Sequence, residues 1–96
     1  MDTKFSFKDS VKKLPDVLLK QVGATCVLLN LATESYYGLD EIGYDFYLKL
    51  VSSESIEAAY LQLLEEYEST PTELRKDLQE LIENLLVAQV ITIHVA

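Results

Sequence analysis

Two side chains in this 96-residue sequence could take part in nucleophilic catalysis, the thiol of Cys26 and the imidazole of His94. Such chemistry requires a nucleophile and a base in contact, with a third group that orients the base. Cys26 lies in an apolar run typical of a buried strand, and His94 lies two residues before the last one. Because two residues without a local signature do not define a site, we expect a buried thiol, a surface imidazole and no enzyme activity.

The sequence lacks the patterns that are typical of metal-binding and phosphate-binding sites. Metal sites need clustered cysteines, histidines or carboxylates, and the nearest approach is the acidic run at residues 65–68, which is typical of a solvated helix face. Phosphate sites need glycine-rich loops before a helix, whereas Gly23, Gly38 and Gly43 are isolated. We therefore predict neither a metal nor a cofactor.

The charge is distributed unevenly, and this limits the partners. The sequence carries 16 acidic and 8 basic side chains, which gives a net charge of −8. Residues 1–20 contribute +2 (five Lys, three Asp), residues 21–51 contribute −3 (one Lys, four acids), and residues 52–96 contribute −7 (Arg75 and Lys76 against nine acids). Because an acidic protein repels phosphate, we do not expect nucleic acid as a partner.

Length and hydrophobicity predict one small globular domain. Hydrophobic residues make up 49% of the sequence, with three Gly and two Pro, which argues against disorder. No apolar run approaches the roughly 20 residues that cross a bilayer. Residues 1–8 lack the layout of a signal peptide, so we expect a single cytoplasmic domain, 1–96, that does not bind a membrane.

The first half of the chain has the apolar spacing of strands. Val17–Val22 is a short apolar stretch that Gly23 ends, and residues 25–31 form a nearly continuous β-branched run. After a polar turn, residues 35–39 form a third strand that is rich in aromatic residues. The short spacing requires an antiparallel hairpin, and we expect a three-stranded meander.

The second half has helical spacing. Asp40 can cap a helix over residues 41 to about 51, and Ser52-Ser53 can cap a second helix. The motif Thr70-Pro71-Thr72-Glu73 is a capping box with proline at the first helical position of a third helix. The predicted apolar face of the first helix consists of Ile42, Phe46, Tyr47 and Leu50.

The order of elements is therefore β-β-β-α-α-α. Residues 90–95 are β-branched and alternating, so they either add a short strand or pack as a tail. Strands grouped before helices indicate an α+β fold rather than a parallel sheet.

The third strand offers the clearest sign of recognition. Tyr36 and Tyr37 stand beside Gly38 on a short strand that could form a sheet edge. An unpaired edge can bind an extended peptide through free N–H and C=O groups. The alternative is that the two tyrosines simply flank the core, one on each face of the strand.

The stretch VLLNLATESYYGLDEIGYDF, residues 27–46, resembles the core of the PqqD family. Its pattern is an apolar strand, a polar turn, a tyrosine-bearing strand ending in Leu, then Asn or Asp, and a helix with a small and a bulky residue. The similarity in order and spacing covers about residues 14–90. It implies a small, non-catalytic, winged helix-turn-helix-like domain, with a three-stranded antiparallel sheet followed by three helices.

The resemblance also implies a function. Such domains are recognition elements that bind the leader of a ribosomally made precursor peptide and bring it to a modifying enzyme, such as a leader peptidase, a macrocyclase or a radical SAM enzyme. The Tyr-Tyr-Gly-Leu strand is more similar to the stand-alone type of lasso-peptide clusters. The alternative within the family is a peptide chaperone in PQQ biosynthesis that works with a radical SAM enzyme.

The resemblance places the leader as an added strand on the third strand, in the groove against the third helix. The residues so implied on the strand are Ser35, Tyr36, Tyr37, Gly38 and Leu39, and those on the helix wall are Arg75, Leu78, Gln79 and Ile82. Leu78 and Ile82 also belong to the buried stripe of that helix, so packing competes with peptide binding for them. Leu39 shares a strand face with Tyr37, and we expect that face to be core.

A winged-helix DNA-binding regulator is the alternative from another class of function. A recognition helix needs basic or amide side chains that reach base edges and phosphates. The predicted second helix, with its flanks at residues 53–68, carries five Glu and no basic residue. The third, residues 72–89, has four acids against Arg75 and Lys76, so the sequence disfavours this function.

Overall fold

The computed structural model describes residues 5–96, so the first half of the segment examined for a signal peptide, residues 1–4, lies outside the described residues. An antiparallel three-stranded sheet followed by three helices confirms the α+β prediction. The elements are β1 (Ser10–Lys13), β2 (Val17–Val22), β3 (Thr25–Asn30), β4 (Tyr36–Leu39), α1 (Glu41–Ser52), α2 (Ile56–Glu66), α3 (Pro71–Val87) and β5 (Ile91–His94).

The main sheet has the order β2-β3-β4 and is the predicted meander. Opposed residues share a face of an antiparallel sheet, and Leu28 lies opposite Tyr37 on the face that packs against the helices. Leu29 lies opposite both Leu18 and Tyr36, so these three form one row across the other face. We refer to that second face as the outer face.

Strand β1 was not predicted, and it changes the architecture around the terminal strand. It pairs antiparallel with β5, with Val11 opposite Ile93, in a separate two-stranded sheet. Its sequence, SVKK, carries one buried residue and two exposed lysines, so it has no apolar pattern to detect. The pairing also shows that the C-terminal segment is a strand rather than a packed tail.

Side-chain caps fix the helix starts. The carboxylate of Asp40 accepts a 2.7 Å hydrogen bond from Gly43 N, and the hydroxyl of Thr70 accepts one of 3.2 Å from Glu73 N, both as predicted. The cap of α2 is Ser55 rather than Ser52-Ser53. Residues 53 and 54 connect the end of α1 to this cap.

The core lies between the inner face of the sheet and the three helices. Its fully buried members include Leu28, Leu39, Leu50, Ile56, Leu63, Leu74, Leu78, Ile82 and Leu85. On the predicted apolar face of α1, Phe46, Tyr47 and Leu50 are buried, whereas Ile42 is 55% exposed and lies outside this core. Ile42 sits in the first turn of α1, where it lines a surface cavity with Phe46 and Tyr67.

One buried polar side chain ties the sheet to the end of α3. The Asn30 amide oxygen accepts hydrogen bonds from Ala32 N (2.9 Å) and Thr33 N (3.1 Å), and its nitrogen donates to the Gln89 carbonyl at 2.6 Å. Gln89 has φ 62°, a left-handed conformation that ends α3 and aims this carbonyl at Asn30. These bonds also explain why β3 stops at Asn30 and does not include Leu31.

Replacing this amide should destabilise the whole domain. We expect Asn30→Ala to lower the free energy of unfolding by about 1–3 kcal/mol, because three part-buried hydrogen bonds to the turn and to Gln89 are lost. Gln21→Ala is the matched control: its amide makes one exposed 3.4 Å hydrogen bond, and we expect a change within about 0.5 kcal/mol. Urea denaturation measures both, and an Asn30→Ala variant as stable as the control would contradict this role.

Candidate functional site

Strand β4 ends the main sheet and has an open backbone edge. The carbonyl of Ser35, just before it, accepts a 2.8 Å hydrogen bond from Asn30 N and so points toward β3. In an antiparallel pair the backbone groups of successive residues point alternately to the partner and away from it. Tyr37 therefore pairs with β3, while the N–H and C=O groups of Tyr36 and Gly38 point outward.

A cleft of about 270 Å³ runs beside this edge, and we term it the edge cleft. Its lining residues come from β4, the start of α1, and α3: Tyr37, Gly38, Leu39, Asp40, Gly43 and Leu81. The helix α3 stands across the cleft from β4, and Asn84 on it donates a 3.4 Å hydrogen bond to the Tyr37 hydroxyl. The cleft thus places Leu81 of α3 beside the outward backbone groups of β4.

The two tyrosines of β4 face opposite ways, as strand geometry requires. Tyr37 is partly buried on the inner face together with Leu39, which is 2% exposed, so the expectation that this face is core is confirmed. Tyr36 is 70% exposed on the outer face. The side chain of Tyr36 therefore points away from the helices, although its backbone groups border the edge.

A second cavity of about 230 Å³ lies further along α3, toward its N-terminus. Ile42, Phe46, Tyr67 and Leu74 give it an apolar lining, and Glu68, Ser69 and Asp77 contribute polar groups. Asp77 precedes Leu81 of the edge cleft by four residues, so the two lie on the same side of the helix. An extended chain leaving the edge cleft along α3 would meet this cavity, which we term the second cavity.

The wall of the second cavity is held by an aromatic pair and a charged hydrogen bond. The rings of Phe46 and Tyr67 meet edge to face with centroids 5.5 Å apart. The Tyr67 hydroxyl donates a 2.6 Å hydrogen bond to the Asp45 carboxylate, and this bond, together with burial, raises the pKa of Tyr67 to about 12. The phenol is therefore neutral at physiological pH and stays a donor.

The structure does not bring the predicted helix-wall residues to the edge cleft. Leu78 and Ile82 are both 0% exposed and belong to the core. Arg75 and Gln79 line a different cavity, of about 360 Å³, formed with Phe7 and neighbouring residues of the N-terminal segment. The residues of α3 that line these cavities are Leu81 in the edge cleft and Leu74 and Asp77 in the second cavity, while Asn84 contacts the Tyr37 hydroxyl beside the edge cleft.

Arg75 is already engaged within the protein. Its guanidinium carbon lies 4.1 Å from the ring centroid of Phe7 and 5.2 Å from that of Tyr60, in cation–π contact. A guanidinium nitrogen lies 3.4 Å from the Glu57 carboxylate. These contacts hold the N-terminal segment against α2 and α3.

The pair considered for catalysis is split between two sheets. Cys26 is buried on β3, whereas His94 is exposed on β5. Within residues 5–96, no group of three His, Cys, Asp or Glu side chains is arranged to hold a metal ion. No helix in that range is both long and apolar enough to cross a membrane.

A sheet with an open strand edge beside a cleft defines a class of peptide-binding geometry, in which an extended chain adds as a further strand. The chain belongs to the PqqD family: the family model for Coenzyme PQQ synthesis protein D (PqqD) matches residues 25–91. That match includes β3, β4, all three helices and the edge cleft between them.

Two solved structures are similar in fold. One is TbiB1 in complex with the TbiA(beta) leader peptide, at a TM-score of 0.73 and 24% identity, covering 83% of this chain and 93% of that one. The other is lasso peptide synthetase B1 complexed with the leader peptide, at a TM-score of 0.76 and 20% identity, covering 86% of this chain and 98% of that one. No curated protein matches the sequence.

Proposed function

We propose that this protein binds the leader of a ribosomally synthesised precursor peptide as a fourth strand beside β4 and presents it to a modifying enzyme, with no catalysis of its own. The observation that carries the proposal is the outward backbone of Tyr36 and Gly38 beside the edge cleft. Membership of the PqqD family supports it. So do the two similar folds, both of which were solved with leader peptides.

The geometry assigns separate tasks to the backbone and the side chains. Outward N–H and C=O groups of Tyr36 and Gly38 would pair with the leader backbone, each net hydrogen bond contributing about 0.5–1.5 kcal/mol. Alternate leader side chains would enter the edge cleft against Tyr37 and Leu81. Backbone pairing supplies affinity, and the cleft and the second cavity supply specificity.

The lasso-peptide pathway is the product class we propose, since one of the two similar folds is that of lasso peptide synthetase B1 complexed with the leader peptide. The partner enzymes would then be a leader peptidase and a macrocyclase rather than a radical SAM enzyme. Because ribosomes make the precursor, we place the function in the cytoplasm. The genes beside this one discriminate between the classes, since a radical SAM gene without a cyclase would indicate the PQQ type.

Blocking the edge of β4 should weaken leader binding without unfolding the protein. Gly38→Pro removes an N–H that points away from β3, so the sheet keeps its hydrogen bonds while the leader loses a donor. Gln21→Pro is the matched control on β2. The carbonyl of Val17 on that strand points outward to Lys13 Nζ at 2.8 Å, and alternation then also turns Gln21 N–H outward, on the edge opposite β4.

Isothermal titration with the leader encoded beside the gene measures this effect. We expect Gly38→Pro to weaken binding about tenfold or more and Gln21→Pro to change it less than about twofold, with both variants folded by circular dichroism. Equal affinities for the parent and a folded Gly38→Pro variant would refute strand addition at β4. Absence of any binding at tens of micromolar parent protein would refute the function itself.

The acids beside the edge cleft and the second cavity should favour a leader that is neutral or basic where it crosses α3. Asp40 borders the edge cleft, and Glu68 and Asp77 border the second cavity. Carboxylates there repel an acidic segment and attract a basic one over about a Debye length, roughly 10 Å at 0.1 M salt. The strongest effect is expected for Asp77, which is exposed on α3.

Neutralising Asp77 tests this charge effect. We expect Asp77→Asn to weaken leader binding by about two- to fivefold at low salt and much less at 0.5 M salt, as for an exposed charge pair. Glu65→Gln, an exposed acid on α2 away from both cavities, serves as the control. Titrations at two ionic strengths check it, and a salt-independent effect of Asp77→Asn would exclude an electrostatic origin.

A further inference from the structure

The outer face of the main sheet carries apolar side chains that no helix covers. The row Leu18, Leu29 and Tyr36 spans all three strands, and Val22 continues the face along β2. Leu18 is 53% exposed, Val22 56% and Tyr36 70%, and Leu31, just past β3, is 56% exposed. Exposed apolar side chains grouped on one face mark an interaction surface more often than isolated ones do.

The same face differs from the rest of the protein in charge. The 16 residues of β2, β3 and β4 include no carboxylate, although the chain as a whole has a net charge of −8. Their only charged residue is Lys20, which lies on the outer face opposite Val27. A surface that is complementary to this one is therefore apolar and carries a carboxylate placed to meet Lys20.

We propose that the outer face docks the modifying enzyme, through an apolar patch on that enzyme that bears an Asp or Glu for Lys20. The inference rests on the proposed function, since a leader-binding protein must meet the enzyme that it serves. It is supported by continuity: a leader strand added beside β4 would extend the row that ends at Tyr36. An enzyme on this face would then lie next to the bound leader.

Charge argues against a second copy of this chain as the occupant. An isologous contact buries the same surface patch of both copies in one interface. Here it would bring two Lys20 ammonium groups into one apolar interface, where no carboxylate of β2, β3 or β4 could neutralise them. It would also join two chains that each carry a net charge of −8. A different protein that carries a carboxylate opposite Lys20 avoids both the unneutralised lysine charges and the repulsion between two acidic chains.

Binding of each purified enzyme encoded beside the gene, titrated separately without precursor peptide, tests the proposal. The face is altered by the double substitution Leu18→Ser and Val22→Ser, and its charge by Lys20→Glu. Leu61→Ser is the matched control, because Leu61 is a 52% exposed leucine on α2. The leader affinity of every variant is measured in parallel.

We expect one enzyme to bind the parent chain, with affinity lowered about tenfold or more by the double substitution and changed less than about twofold by Leu61→Ser. Lys20→Glu should weaken binding most at low salt. Leader affinity should stay within about twofold throughout. Absence of leader binding by the parent chain would count against the proposed function, whereas leader binding lost together with enzyme binding in the double variant would contradict a separate docking face.

Three results would overturn the docking face. In the first, no enzyme binds the parent chain at tens of micromolar protein. In the second, Leu61→Ser and the double substitution weaken enzyme binding equally. In the third, the double variant binds the enzyme as tightly as the parent does. Sedimentation gives a further check: a parent dimer that the double substitution dissociates would assign the face to self-association.

Discussion

The recognition geometry depends on one unpaired backbone edge. Strand β4 is bonded to β3 on one side, which leaves the outward groups of Tyr36 and Gly38 without a partner strand in the main sheet. An open edge is a hazard, because it can pair with any extended chain. Here it is only four residues long and ends at the cap residue Asp40. The edge is therefore short enough to limit unspecific pairing yet open to one peptide strand.

The rest of the fold serves to place a helix opposite that edge. Leucines on one stripe of α3 anchor the helix in the core, and the adjacent stripe, with Leu81 and Asn84, faces the edge cleft. The Asn30 amide fixes the C-terminal end of the helix to the sheet through the Gln89 carbonyl. Because α3 contributes side chains both to the core and to the edge cleft, the packing of the core sets the width of the cleft.

Local signals in the sequence predicted the elements well. The caps at Asp40 and Thr70 and the β-branched runs define helices and strands by interactions within a few residues. Strand β1 escaped prediction because it is held by pairing with β5, across most of the chain, and not by its own pattern. Ile42 fits the helical period of the core, but it lies in a turn of α1 that borders a cavity.

The site was predicted less well than the fold. The resemblance to the PqqD family indicates which strand and helix form the groove, but it does not give the rotation of the helix about its axis. Of the four residues assigned to the wall, Leu78 and Ile82 are buried in the core. Arg75 and Gln79 face the N-terminal segment, which lies before the part of the chain that carries the resemblance. Periodicity could have indicated Leu81, which adjoins the buried stripe and is only partly buried.

Amide hydrogen exchange, followed by NMR with and without the encoded leader peptide, tests strand addition most directly. Strand addition predicts that the leader slows exchange at Tyr36 and Gly38, whose N–H groups point away from β3, by about tenfold or more. Exchange at Gln21, on the opposite edge of the sheet, should not change. Unchanged exchange at Tyr36 and Gly38 with the leader bound, or equal slowing at Gln21, would contradict the account.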